Sequence, residues 1–274
     1  MKITGKLIIA GAGPGDPELI TVKAALALRQ ADIVLTDRLV SADILNAYVR
    51  KEASIIYVGK QCRRGISTPQ QTINNLIAEH CLEGKLVVRL KGGDVSIFSN
   101  ILDELETAVN HDIPYEIIPG VTAALGAAAY AGIPLTARGY ATAVRFVTYY
   151  KSDIVTDEYW KELAQSNDTL VFYMSSETLG SVVENLLIND ISREKTLAII
   201  EQATTPFQKV QVTSLHEYYG NVNGASFISP SLVIIGKVVN LHKQFAWLAN
   251  SNSREIYFKP GAKIYPTSTL QKNY

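Results

Sequence analysis

Three short segments carry residue types that could do chemistry. Gly11-Ala12-Gly13-Pro14-Gly15-Asp16 follows an apolar run and opens an amphipathic one, the setting in which glycines let a backbone turn tightly or approach a ligand. Gly92-Gly93-Asp94 closes another apolar run, where main chain can approach a cofactor and a carboxylate can hold one of its polar groups; the same three residues can equally form a plain turn. Asp37 ends a third run, in Thr36-Asp37-Arg38-Leu39-Val40. A carboxylate there can accept a proton, pair with Arg38 or cap a following helix.

The first segment invites comparison with a dinucleotide-binding loop, and it fails that comparison at informative places. Its sixth position is Asp16 rather than glycine, Pro14 removes a backbone N–H, and a carboxylate at the helix start repels a pyrophosphate. A tight strand-to-helix turn, which needs only a permissive backbone, accounts for the segment better.

The elements that must position these residues are legible as a pattern. Short apolar runs at Lys6–Ala10, Asp32–Thr36, Ser54–Val58, Leu86–Leu90 and Tyr115–Ile118 alternate with amphipathic stretches, which predicts parallel strands with helices between them. Asp16, Pro17 and Glu18 predict the start of the first helix, with Leu19, Val22 and Leu26 on its buried face. Pro119-Gly120 breaks the pattern, an alanine-rich helix spans roughly 121 to 131, and a domain boundary is placed there. Strands follow at Ala143–Thr148, Thr169–Tyr173, Thr196–Ile200, Lys209–Thr213 and Leu232–Val239, with one helix at Glu177–Leu187. Fewer helices among more strands predict a mixed second sheet. The expected domains are 1–119, 120–245 and a polar extension 246–274.

Composition narrows the function classes. In 274 residues, Lys+Arg 26 balance Asp+Glu 26, so no global field would hold the chain on nucleic acid or an anionic membrane. The most apolar window, Val121 to Leu135, is interrupted by Gly126, Gly132 and Pro134 and is shorter than the roughly 20 residues of a bilayer span. Met1 to Ala10 lack a secretory pattern, so a cytoplasmic location is expected. Cys62 and Cys81 are expected to be reduced thiols, and the four histidines lack ligand spacing, so no metal is expected.

Taken together, Gly11–Ala24, Leu35–Ile44, Val87–Phe98 and Pro119–Thr136 resemble the signature segments of the uroporphyrinogen-III C-methyltransferases, within the S-adenosylmethionine-dependent tetrapyrrole methylases. Val58-Gly59-Lys60, Thr169–Met174, Thr204-Thr205-Pro206 with Gln208, and Ser229-Pro230 extend the match to about residues 5–240. The resemblance implies a two-domain α/β fold with the active site in a cleft between domains, a homodimer, and methylation of uroporphyrinogen-III to precorrin-2. It implies that S-adenosylmethionine, leaving as S-adenosylhomocysteine, contacts Pro14, Gly92, Gly93, Asp94, Ile97, Thr122, Ala123, Met174 and Ala203. Asp37 takes the base role and Lys60 the proton-donor role. The acceptor carries eight carboxylates, so Lys60, Arg63, Arg64, Arg138 and Arg145 are candidate anchors; Arg138, in Pro134-Leu135-Thr136-Ala137-Arg138, matches a family string.

The sequence also departs from the family. Val95-Ser96-Ile97-Phe98-Ser99-Asn100-Ile101-Leu102-Asp103-Glu104 stands where Pro-Phe, Ile or Val, Phe and a Gly-Arg-Gly-Gly-Glu-Glu run are usual. Ala137 replaces a common histidine, Tyr149-Tyr150 a Gly-His, and Ala203 a cofactor-side glycine. Uroporphyrinogen-III, another tetrapyrrole such as a precorrin, or binding without catalysis all remain open, with a nucleotide-binding oxidoreductase as the alternative class. No dehydrogenase or chelatase segment flanks the methylase-like region, so either partner activity is expected on another chain.

Overall fold

The structure is a computed structural model; it describes residues 4–59, 68–149, 155–174, 177–222 and 226–259. Lys60, Cys62, Arg63, Arg64 and Tyr150 lie outside these. The chain divides into two compact units, Met1–Thr122 with Phe258–Tyr274, and Ala123–Tyr257.

The first unit is built on strands β1 (Lys6–Gly11), β2 (Ile33–Thr36), β3 (Ser54–Tyr57), β4 (Leu86–Lys91) and β5 (Tyr115–Ile118) in the order β3-β2-β4-β1-β5. Every pairing is parallel, as the alternating pattern predicts. Helices α1 (Val22–Gln30) and α2 (Ala42–Tyr48) cover one face, through Ala24, Ala27, Leu28, Ile44 and Leu45. Helices α3 (Gln70–Leu82) and α4 (Leu102–Asn110) cover the other, through Ile73, Leu76, Ile77, Cys81 and Ala108. Burial pushes the Cys81 thiol up to about 12, which leaves it protonated and inert.

The start of the first helix differs from expectation. Asp16 does cap, accepting from the Glu18 N–H at 2.9 Å, but it caps a single 3-10 turn at Pro17–Leu19. Thr21 then caps α1 separately, accepting from the Ala24 N–H at 3.2 Å. This restart changes the helical phase, so alanines and Leu28 face the sheet while Val22 is 77% exposed. Small side chains let the helix lie close to the strands.

The second unit carries β6 (Val144–Thr148), β7 (Thr169–Tyr173), β8 (Thr196–Glu201), β9 (Lys209–Ser214) and β10 (Ser231–Gly236), ordered β6-β7-β10-β8-β9. Only β6 and β7 are parallel; the other pairings are antiparallel, so the sheet is mixed as expected. Helix α5 (Ala123–Tyr130) packs on one face, and α6 (Asp157–Gln165) and α7 (Leu179–Ile188) on the other. Helix α6 is additional to the elements expected from the sequence. Its signals are a Thr156 cap, Asp157 and Glu158 in the first turn, and Trp160, Leu163 and Ala164 at helical spacing. The last strand is shorter than expected because a 3-10 turn, Lys237–Leu241, replaces its end. No helix among the described residues is long and apolar enough to cross a membrane.

The polar stretch after the second sheet is tied to it through residue 257. Strand β9 is an edge, and the Asn250 side chain pairs with Val210 as a neighbouring strand would, accepting from its N–H at 2.7 Å and donating to its carbonyl at 2.9 Å. Gln202 does the same for the chain beyond, donating to the Glu255 carbonyl and accepting from the Tyr257 N–H. Replacing Asn250 by alanine leaves two Val210 groups without those partners and is expected to cost about 1–3 kcal/mol. A lowered urea midpoint checks this; an unchanged midpoint contradicts it.

Candidate functional site

In an open parallel sheet, ligands bind beyond the carboxyl ends of strands where successive connections leave toward opposite faces. That point in the first unit lies between β1 and β4. From β1 the chain passes to α1 on one face, and from β4 to α4 on the other. The two glycine segments are therefore at the position the topology reserves for a ligand.

Their geometry is closely constrained. Gly13 and Gly93 form an antiparallel bridge, exchanging N–H···O bonds of 3.1 and 2.7 Å, and both take left-handed φ, +82° and +70°. A Cβ on Gly11 would lie 2.6 Å from the Gly93 carbonyl oxygen, and one on Gly120 closer still. Three chain segments thus meet at a distance only glycine permits. Asp94, 7% exposed, fastens the junction. Its Oδ1 accepts from the Ser96 N–H at 2.9 Å and from the Ser96 hydroxyl, and its Oδ2 accepts from the Gly120 N–H at 2.9 Å. Burial works to raise its pKa, but the hydrogen bonds from Ser96, Gly120 and Val95 outweigh it and hold the carboxyl below its ordinary value. Both oxygens are engaged within the protein, a structural role that the sequence reading did not assign.

The loop also excludes the dinucleotide geometry. Helix α1 starts only at Val22, after the separate 3-10 turn, so Gly11–Asp16 does not deliver a helix N-terminus to a phosphate. Pro14 is buried beside the Gly13 bridge, and Ile97 is half-buried in the segment after Asp94. There Phe98 and Asn100 both take left-handed φ, +52° and +46°, an uncommon state for residues with side chains.

Asp37 follows β2. Its Oδ1 accepts from the Leu39 N–H at 2.9 Å, and its Oδ2 lies 3.8 Å from an Nη of Arg89. Arg38 is not its ion-pair partner, contrary to one of the simpler expectations. Arg89 and Lys91 share one face of β4 by the two-residue period of a strand. They converge on Glu104, which is 1% exposed in the first turn of α4. Arg89 donates to Glu104 at 2.9 Å, and Lys91 donates to both its oxygens at 3.2 and 3.1 Å. Burial holds the Lys91 ammonium below its ordinary value, Arg89 adding to that effect and Glu104 opposing it. Arg89, Lys91 and Glu104 were not among the sequence candidates; alternation of basic residues in an otherwise apolar strand was the available signal.

Within the second unit, Met174 directly follows β7 with φ +55° and is 55% exposed, so it is not ordinary core packing. Its neighbour Tyr173 accepts from the Ala124 N–H at 3.0 Å, which ties the strand end to the first turn of α5, where Ala123 lies. Thr122, immediately before, is buried in the first unit. Ala203 is half-buried between Gln202 and Thr204, both left-handed. Arg138 sits at the tip of a short loop closed by the Ala137–Ala141 bridge, with Gly139 at φ +83°. It is exposed and has no ion-pair partner among the described residues. Arg145, by contrast, is committed to Asp168 and Glu162, whose hydrogen bonds raise its pKa. Tyr149 is core, edge-on to Trp160 at 5.1 Å.

Comparison with known proteins agrees with this geometry. The model of the Tetrapyrrole (Corrin/Porphyrin) Methylases matches residues 6–218. A siroheme synthase of Nitrosospira multiformis is 43% identical over 245 residues, 89% of this chain and 52% of that protein; the chain spans about half the length of the curated relatives it matches. Uroporphyrin-III C-methyltransferase from Thermus thermophilus, solved in complex with S-adenosyl homocysteine, is 31% identical with a TM-score of 0.71, over 86% of this chain and 94% of that one. A cobalt precorrin-4 methyltransferase is 27% identical with a TM-score of 0.75, over 85% and 95%. The chain belongs to the tetrapyrrole methylases.

Proposed function

We infer that the chain methylates carbon atoms of uroporphyrinogen-III, using S-adenosylmethionine, to give precorrin-2. The observation that carries this is Asp37: a carboxylate at the end of β2, one oxygen held by the Leu39 N–H and the other unbonded to hydrogen among the described residues. That disposition suits a proton acceptor. The 31% identity to a uroporphyrin-III C-methyltransferase and the 43% identity to a siroheme synthase support this acceptor. The likeness to a cobalt precorrin-4 methyltransferase makes a precorrin the second candidate.

The cofactor fit rests on the glycine junction, which keeps side chains out of the switch point between β1 and β4. Pro14, Gly92, Gly93, Asp94, Ile97, Thr122, Ala123, Met174 and Ala203 are the residues assigned to hold it. When bound, S-adenosylmethionine would supply a methyl group on a sulfonium, the carbon–sulfur bond breaking to release a neutral thioether as the pyrrole carbon bonds to the methyl. The acceptor carbon is already nucleophilic, so the protein's part is to position, exclude water and manage one proton. Asp37 Oδ2 takes the proton that the tetrapyrrole must lose, and Lys60 is assigned as proton donor. Asp94 contributes by fixing the junction, since its oxygens are engaged with Ser96 and Gly120. Arg138, exposed and with no ion-pair partner among the described residues, offers its guanidinium to a substrate carboxylate. The assignment includes a cytoplasmic homodimer.

Three outcomes are expected. S-adenosylhomocysteine raises the melting temperature, by an amount that grows with the logarithm of its concentration above Kd, whereas a nicotinamide dinucleotide does not; the opposite result overturns the methylase assignment. Asp37→Asn binds S-adenosylhomocysteine as tightly as the parent and loses turnover by on the order of a hundredfold; undiminished turnover removes Asp37 from the mechanism. Arg138→Ala raises KM for the tetrapyrrole roughly tenfold, the worth of one charge-assisted hydrogen bond, with cofactor affinity unchanged. An unaltered KM returns Arg138 to the solvated surface.

A further inference from the structure

The cluster beneath Asp37 holds one cation more than its buried anion requires. Arg89 and Lys91, with side chains 5% and 8% exposed, face a single buried carboxylate, Glu104. Lys91 alone spans both Glu104 oxygens, and α4 places that carboxylate in its first turn, where the helix dipole also favours it. Glu104 is thus neutralised without Arg89. Two cations in low dielectric against one anion are costly unless a second anion is near, and among the described residues that anion is Asp37, 3.8 Å from the Arg89 Nη.

The rest of the Arg89 guanidinium is fixed. Its Nε is on Glu104 at 2.9 Å, and one Nη donates to the carbonyls of Leu35 and Leu90 at 3.3 and 3.1 Å. The planar fork therefore cannot swing, and the remaining Nη is aimed at the end of β2. The gap of 3.8 Å is an ion pair without a hydrogen bond. It attracts the carboxylate and leaves the Oδ2 lone pairs uncovered.

We propose that Arg89, anchored on Glu104, is a positioning residue for Asp37: its charge attracts and orients the carboxylate while leaving Oδ2 open to receive a proton. This rests on the proton-acceptor role given to Asp37 above. Lys91 serves a different purpose, neutralising Glu104 and, by donating to the Asn100 carbonyl at 3.2 Å, fixing the segment that leads into α4. The signal in the sequence is Arg89-Leu90-Lys91, two cations on one face of a strand, answered by Glu104 in the next helix.

The test is a double-mutant cycle on the full chain, with methyl transfer from S-adenosylmethionine to uroporphyrinogen-III as the readout and S-adenosylhomocysteine affinity as the folding control. Arg89→Gln in the parent is expected to lower kcat by between about tenfold and about a hundredfold, with KM for S-adenosylmethionine unchanged. Arg89→Lys, which keeps the charge but loses the fork, falls between the two. In the Asp37→Asn background neither substitution slows turnover further, because nothing remains to be positioned. An equal loss in both backgrounds, or no loss in the parent, overturns the proposal. Should Arg89→Gln fail to fold, Arg89→Lys in the two backgrounds decides by the same criterion. Undiminished activity of Asp37→Asn alone instead overturns the base assignment, so the two failures are distinguishable.

Discussion

The approach of three backbones at the carboxyl ends of β1, β4 and β5 is the constraint on which the first unit's site depends. Gly11, Gly93 and Gly120 meet where a Cβ on Gly11 would lie 2.6 Å from a carbonyl oxygen, and no rearrangement of side chains relieves a clash with main chain. The Asp94 carboxylate then binds the Gly120 N–H and the Ser96 N–H at 2.9 Å each. A short polar side chain thereby does what packing cannot, joining the exits of β4 and β5 across β1. Because that junction lies at the switch point of the sheet, the same glycines that make it possible also clear the ground where a ligand is expected.

Charge is concentrated around this junction although the chain as a whole is neutral. Arg89, Lys91 and Glu104 are almost wholly buried, and such groups persist in an interior only when paired. They form a rigid layer between the sheet and α4, and Asp37 lies at its open edge. The arrangement explains why a strand that is otherwise Leu, Val, Val and Leu carries two cations. Arg138 shows the opposite treatment, displayed at a loop tip with no ion-pair partner among the described residues.

Strand positions, the parallel first sheet and the mixed second sheet were legible because alternation of apolar runs with amphipathic stretches reports them directly. What the period did not report was phase. Val22 and Leu26 looked buried because they are large and apolar, yet the Thr21 cap restarts the helix and turns Ala24, Ala27 and Leu28 inward. Helix α6 was passed over although Thr156, Asp157 and Trp160 announce it. Of the site, Asp37, Asp94 and the glycines stood out by type and place. Their partners did not: that Asp94 binds Gly120, or that Asp37 faces Arg89 rather than Arg38, depends on register across β2, β4 and β1, which a one-dimensional pattern does not carry. Met174 required its backbone angle before its outward side chain could be distinguished from core.

Methylation at carbon changes the mass of the tetrapyrrole, and that mass is the direct readout of the chemistry. Purified protein is incubated without oxygen with S-adenosylmethionine and uroporphyrinogen-III, and the tetrapyrrole is weighed by mass spectrometry. The expected product is heavier by two methyl groups. A tetrapyrrole of unchanged mass, from protein shown to bind S-adenosylhomocysteine, would contradict the proposed methylation.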